Sequence, residues 1–224
     1  TELHQRILTA DPALAPPDPA RPAPGGAAEP EEDGPAEAEE PTVELPRPAQ
    51  LPAAVSDFTG RDGPVARLRD LLTGPGEGMP VVAVCGIGGV GKTTLAVHVA
   101  HLLADRFPDG QLYADLRGHS GEPLAPETAL AAFLRGLGIP TDIIPEGLAE
   151  RSALFRSLLS DRRILVLLDN AKDAAQVAPL LPGSPGCATI ITSRTILADL
   201  PAARLIDLDV MEPDEALSLF ATVA

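Results

Sequence analysis

Residues Gly86-Ile87-Gly88-Gly89-Val90-Gly91-Lys92-Thr93 fit the pattern G-x-x-x-x-G-K-[ST]. This chemistry belongs to polyphosphate binding. Glycines let the backbone curl with its N–H groups turned inward, a lysine puts a point charge on the terminal phosphates, and a threonine hydroxyl can ligate Mg²⁺. Val90 and Thr94 complete the stretch expected to hold the phosphates, which runs from Gly86 to Thr94. The same glycines also fit G-x-G-x-x-G, and Asp115 lies about where a dinucleotide fold puts its ribose-binding acid, so an NAD-binding protein is a minor alternative. Lys92 and Thr93 directly after the last glycine are required by the first reading and unexplained by the second.

Two further groups are spaced to serve the same site. The apolar run Ile164-Leu165-Val166-Leu167-Leu168 ends in Asp169. A carboxylate at the carboxyl end of a parallel strand points into the crevice where open α/β sheets bind ligands, so Asp169 is expected to hold Mg²⁺ together with Thr93. Asn170 follows, and an amide can orient a water but cannot take its proton at neutral pH, which points to slow hydrolysis. A later apolar run ends in Thr192-Ser193-Arg194, and the planar fork of Arg194 is suited to the oxygens of a γ-phosphate. Lys92, Asp169 and Arg194 are therefore the candidate catalytic residues. Upstream, Asp57-Phe58-Thr59-Gly60-Arg61-Asp62 precedes a helical pattern, and spacing alone assigns it no role. His98 and His101, with Asp105 a turn further on, are read as solvent-facing residues rather than as a metal site, since no fourth ligand is visible.

These residues need strands and helices in alternation to position them. Val81–Cys85, Gln111–Leu116, Arg163–Leu168 and Ala188–Thr192 read as strands, with Arg204–Leu208 a weaker fifth. Thr93–Phe107, with Leu95, Val99, Leu102 and Leu103 on one face, Pro126–Leu137, Gly147–Ser160, Ala171–Leu181 and Glu212–Ala224 read as helices. Strands apolar on both faces and separated by helices imply an α/β fold. The expected architecture is a P-loop three-layer sandwich around a five-stranded, mainly parallel sheet.

Composition sets the limits. The 224 residues carry 17 Lys+Arg against 32 Asp+Glu, a formal charge of -15 that argues against direct contact with nucleic acid or an anionic membrane. Residues 1–50 hold 11 Asp/Glu and 3 Arg, which is -8 of that charge, and no aromatic residue. From Asp11 to Pro52 there are 12 Pro and 3 Gly, and an acidic cluster runs from Glu29 to Glu40. Residues 15–50 are therefore expected to be a disordered Pro/Ala/Glu-rich linker. Leu3, Ile7 and Leu8 lie at helical spacing and suggest the end of a preceding domain, and Glu212–Ala224 stops without a cap, so the sequence reads as a fragment at both ends. Cys85 and Cys187 sit in apolar runs and suggest buried thiols rather than a disulfide or zinc site. No long apolar run or secretion signal is present, and a cytoplasmic location is expected.

With these motifs in hand, the chain resembles the signal-transducing (STAND-class) NTPases of the NB-ARC kind, in particular the AfsR-like members of the Streptomyces antibiotic regulatory protein family. The matching stretches are FTGRDGPVARL from Phe58, VCGIGGVGKTTLA from Val84, FPDGQLYADLRG from Phe107, LVLLDNA from Leu165 and ITSR from Ile191. TELHQRILTADPAL also resembles the end of a bacterial transcriptional activation domain, giving the layout 1–14, linker 15–50 and NB-ARC domain 51–224. The resemblance implies that Phe58, Thr59 and Arg61 contact adenine, with Asp62 where the family usually has Glu, and that Arg194 senses the γ-phosphate. It further implies an ATP/ADP switch with Mg²⁺ inside a transcriptional activator of antibiotic biosynthesis. The DNA-binding domain is expected before Thr1, regulatory subdomains after Ala224, and self-association in the ATP state. Asn170 stands where many relatives carry a second acid, so a slow ATPase is the expectation and a fast one the alternative.

Overall fold

The computed structural model describes residues 46–211 apart from 75 and 77, together with 213 and 216. In chain order these residues form α1 (Asp62–Thr73), β1 (Val81–Cys85), α2 (Lys92–Leu102), β2 (Gln111–Asp115), α3 (Pro126–Gly136), α4 (Leu148–Leu158), β3 (Leu165–Ala171), α5 (Ala174–Val177), β4 (Ala188–Ser193) and β5 (Ala203–Asp207). The strands form one sheet in the order β2-β3-β4-β1-β5. Every pairing is parallel, so the expected "mainly parallel" sheet is wholly so.

Burial on both faces follows from the strand sequences. In β1, Val82 and Val84 join Leu68 and Leu72 of α1 and Leu95, Ala96, Val99 and Ala100 of α2 in one core. The alternate residues Val81, Ala83 and Cys85 join Leu130, Phe133 and Leu134 of α3, Phe155 of α4 and Val177 of α5 in the other. The two phenyl rings, Phe133 and Phe155, stack with centroids 5.6 Å apart. Leu165, Val166, Leu167 and Leu168 are fully buried, and each such side chain contributes about 1.5–3 kcal/mol relative to exposure. The register of β3, and with it the place of Asp169, is therefore fixed by packing on two sides.

Several elements differ from expectation. Leu102 is 57% exposed and does not share the buried face of α2, which ends there and passes into a 3-10 turn at Ala104–Arg106. The long helix expected over Ala171–Leu181 is split. β3 continues through Ala171, Asp173 caps α5 by accepting from Gln176 N at 2.9 Å, and Pro179 lies in a 3-10 turn at Ala178–Leu180. Residues before Leu51 also join the sheet: Gln50 N donates to Gln111 O at 3.0 Å and Gln111 N donates to Pro48 O at 2.6 Å. Three residues read as linker, Pro48 to Gln50, thus cover part of the β2 edge and shield it from pairing with other chains. Residues 15–45 of the expected linker and the helical pattern before it lie outside the described residues. So does the pattern over Glu212–Ala224, except Pro213 and Ala216, both helical. Among the described residues, no helix is long and apolar enough to cross a membrane.

Candidate functional site

The phosphate-loop sequence occupies the turn from β1 into α2. Glycine is needed for two different reasons. Gly86 has φ +146°, and a Cβ there would lie 2.4 Å from the carbonyl oxygen of Leu208, whose N–H holds Cys85 O at 2.8 Å. Gly89 and Gly91 have φ +80° and +96° with open space around them, so only their backbone conformation excludes other residues. Gly91 is the N-cap of α2, which starts at Lys92 with no side-chain cap. Its first N–H groups therefore remain available to an anion, at the positive end of the helix dipole.

Lys92 is only 8% exposed and its Nζ donates to Ile87 O at 2.7 Å, which folds the side chain back over the loop. Burial, and after it the nearby Arg194, lower the pKa of Lys92 from its ordinary value. Arg194 arrives from the end of β4, with its guanidinium against Gly88: a Cβ on that glycine would stand 3.3 Å from the Arg194 Cζ. Two cations thus converge on one loop. Like charges are brought together in this way where an anion of more than one charge is bound between them.

On the other side of Lys92 in sequence, Thr93 Oγ1 donates to Asp169 Oδ1 at 2.8 Å across 76 residues of chain. Asp169 does not end its strand, as the apolar run suggested; β3 runs two residues further. The register shifts between Leu168 and Ala171, and Asn170 takes φ +56°. That bulge turns the carboxylate toward the loop. Thr192, 1% exposed in β4, donates to the same Asp169 Oδ1 and accepts from Asn170 N at 2.9 Å, so one hydroxyl holds both halves of the bulge. On the next strand Tyr113 faces Asp169. Burial, followed by the Asp169 and Asp115 carboxylates, pushes the phenol up to about 12, so it stays a neutral donor. A hydroxyl and a carboxylate in contact form the hard oxygen pair that Mg²⁺ requires, and the loop beside them is shaped and charged for polyphosphate. The residues present therefore fit a magnesium-bound nucleotide.

Neither Tyr113 nor Thr192 was singled out from sequence as part of the site. The signals were slight: Tyr113 is the sole tyrosine, and Thr192 belongs to the stretch that delivers Arg194. The Phe58 segment lies along α2. Phe58 stacks on His98 with ring centroids 3.8 Å apart and planes 7° from parallel, Thr59 Oγ1 donates to Asp57 O, and Arg61 Nη2 donates to Val90 O at 3.3 Å. Phe58 and Arg61 thus meet α2 and the loop before it. His98 is half-buried under Phe58 and so departs from the solvent-facing expectation, whereas His101 is exposed as expected, with its Nε2 2.8 Å from Pro52 O. Among the described residues, no group of three His, Cys, Asp or Glu could hold a metal ion by itself. Cys85 and Cys187 are free and buried, as expected.

Topology decides between the two glycine-rich readings. A dinucleotide fold places its second strand beside the first, so that the acid ending that strand meets the ribose. Here β1 lies between β4 and β5, and Asp115 ends β2 at the far edge of the sheet. With a strand inserted between the loop-bearing β1 and the Asp169-bearing β3, and Lys92 and Thr93 opening α2, fold and site define a P-loop NTPase. The NB-ARC domain family matches residues 61–224, and the chain belongs to it.

The chain is similar to regulatory protein AfsR of Streptomyces coelicolor, with 55% identity over 99% of this chain and 21% of that protein. It is 56% identical to regulatory protein AfsR of Streptomyces griseus over the same shares. The chain thus spans about a fifth of the length of these curated relatives. Among solved structures, Cdc6p of Pyrobaculum aerophilum matches with a TM-score of 0.53 and 18% identity, covering 78% of this chain and 51% of that one, a likeness of fold. The chain is thus a P-loop nucleotide-binding domain of the NB-ARC family.

Proposed function

We propose that this domain is an ATP/ADP-binding switch within a transcriptional activator of secondary metabolism, acting in the cytoplasm and hydrolysing ATP slowly. The observation that carries this reading is the convergence of Lys92 and Arg194 on the loop beside the Thr93–Asp169 pair. Lys92 and the loop N–H groups hold the β and γ phosphates, Thr93 and Asp169 hold Mg²⁺, and Arg194 contacts the γ-phosphate. Bound there, Mg²⁺ neutralises phosphate charge. Phe58, Thr59 and Arg61 contact the adenine side of the nucleotide. The chain's charge of -15 assigns DNA contact to a separate domain, as a relative that is a regulatory protein several times longer would allow. Further regulatory subdomains and self-association in the ATP state complete the proposal.

A switch needs two states that the nucleotides distinguish. Moving an equilibrium from 1:99 to 99:1 requires about 10⁴-fold differential affinity. Arg194 is the group that only a γ-phosphate reaches in this reading. Arg194→Ala is expected to weaken ATP about tenfold or more while leaving ADP within about twofold, read by titration calorimetry, since one charge-assisted contact contributes about 1.5–3 kcal/mol. Equal losses for both nucleotides would remove Arg194 as the sensor.

Thr192→Val is close to isosteric but strands Asn170 N and removes one of the two threonine hydroxyls that hold Asp169, leaving Thr93. It should raise the Mg²⁺ concentration needed for half-maximal nucleotide binding about tenfold, while Thr192→Ser restores it. A Val variant with wild-type Mg²⁺ dependence would show that Asp169 is positioned without it. The whole reading is tested by identifying the nucleotide that copurifies with the protein and by measuring turnover. ATP or ADP with steady-state turnover well below about 1 s⁻¹ is expected. Fast turnover would make hydrolysis itself the output, and saturation by NAD with indifference to ATP would reject the proposal.

A further inference from the structure

Of four consecutive residues at the end of β4, three have side chains tied to residues 169–172 at the end of β3. Thr192 holds Asp169 and Asn170. Ser193, 1% exposed, pairs in register with Ala171; its Oγ donates to Ala171 O at 2.8 Å and accepts from Thr195 N at 3.1 Å. Thr195 Oγ1 lies 3.1 Å from Ser193 Oγ and donates to Lys172 O at 3.0 Å. Arg194 is the exception: its guanidinium lies against Gly88 of the phosphate loop.

The acceptors are themselves fixed. Lys172 N donates to Gln176 Oε1 at 2.9 Å, and the nearly buried Gln176 amide donates through Nε2 to Leu116 O at 2.9 Å and to Leu124 O at 2.8 Å. A Cβ on Gly118 would stand 2.3 Å from Lys172 N, so the turn after β2 packs on the same peptide. Arg194, by contrast, is exposed, and its guanidinium has no hydrogen-bond or ion-pair partner among the described residues. A long side chain with that freedom loses rotamer entropy when it meets a ligand, and a fixed backbone leaves less to be ordered. One hydroxyl on each side of Arg194 supplies that fixing.

We infer that Ser193 and Thr195 are positioning residues for Arg194, holding its backbone to the end of β3 so that its guanidinium discriminates a nucleoside triphosphate from a diphosphate. The inference rests on the nucleotide reading above. Residues 169–172 then set two groups at once: the carboxylate at Mg²⁺, through Thr192, and the arginine at the γ-phosphate, through Ser193 and Thr195. The two hydroxyls differ in weight. Ser193 is buried, so its loss strands Ala171 O and Thr195 N away from water, whereas water replaces much of what the exposed Thr195 hydroxyl supplies. A serine that merely closed the strand end would affect both nucleotides alike.

The test uses the full chain and titration calorimetry with ATP and with ADP, each with Mg²⁺. Ser193→Ala should weaken ATP about fivefold and Thr195→Val about threefold, with ADP within about twofold of wild type in both, and Thr195→Ser should restore the ATP affinity. In a chain already carrying Arg194→Ala, Ser193→Ala should lower ATP affinity no further, because the serine acts through the arginine. Without nucleotide, the ¹⁵N order parameter of the Arg194 amide should fall from about 0.85 toward about 0.6 in Ser193→Ala. The inference is overturned by equal losses for ATP and ADP, by wild-type ATP affinity in both variants, by losses that add to that of Arg194→Ala, or by an unchanged order parameter. If Ser193→Ala does not fold, Thr195→Val, a change of similar shape at an exposed position, carries the same comparison and the same double-variant cycle. A wild-type protein that binds neither nucleotide overturns the nucleotide reading instead, and the order parameter, read without ligand, separates that result from a failure of Ser193 and Thr195 to hold Arg194.

Discussion

Lys92→Ala is expected to remove the thermal stabilisation that ATP gives the domain. The lysine is nearly buried, its Nζ bonded to Ile87 O, and its charge is held near Arg194 at a loop whose glycines leave no other cation in sequence reach. Two charge-assisted contacts to phosphate, at about 1.5–3 kcal/mol each, correspond to a loss of roughly 10²- to 10⁴-fold in affinity. At a nucleotide concentration about 100 times the wild-type Kd, ligand binding stabilises the fold by about 2.7 kcal/mol. Nearly all of that shift should vanish in the variant, because the concentration then lies at or below its Kd. Without nucleotide, the variant should unfold within a few degrees of wild type, since one hydrogen bond is lost while a like-charge neighbour of Arg194 is removed. A full ATP-dependent shift in Lys92→Ala, measured by differential scanning fluorimetry, would refute the phosphate-loop assignment.

The second large effect concerns the fold rather than the ligand, and it separates two glycines that look alike in the motif. Gly86→Ala is expected to destabilise the domain by about 3 kcal/mol or more, enough to lower the midpoint by roughly 6–12 °C for a domain of this size. The methyl group would stand 2.4 Å from Leu208 O, a backbone atom fixed by the bond from Leu208 N to Cys85 O, and the residue would keep φ +146°. Neither can relax without separating the chain after β5 from β1. Gly89→Ala meets nothing within 4 Å and carries only the backbone cost of φ +80°, about 1 kcal/mol. Thermal denaturation without nucleotide should therefore rank wild type, Gly89→Ala and Gly86→Ala in falling order. If the two alanine variants unfold together, the close approach of Leu208 does not limit Gly86.

Much of the architecture was legible in the sequence because it is encoded locally. Runs such as Val81–Cys85 and Leu165–Leu168 are apolar at every position, which only a strand covered on both faces requires. The helix expected over Ala171–Leu181 failed because its start depended on where β3 stops, and β3 stops late owing to the bulge at Asn170. Leu102 fitted a helical face by spacing, but α2 ends there, and the face it would have joined is occupied by Leu103.

For the candidate site, the sequence by itself determined the phosphate loop, since eight adjacent residues carry the backbone freedom, the charge and the hydroxyl, and adjacency survives any tertiary arrangement. It also nominated Asp169 and Arg194, each at the end of a run that had to be a strand. Only the tertiary structure decided that these residues meet. The strand order puts β4 between β1 and β3, which brings Arg194 to Gly88 and lets Thr192 reach Asp169, and sets Asp115 at the far edge, away from the loop. Thr93 and Asp169 are 76 residues apart, and Asn170 and Thr192 are 22 apart. Residue spacing along the chain carries no information about such pairs, because their proximity comes from parallel crossovers packed around two apolar cores.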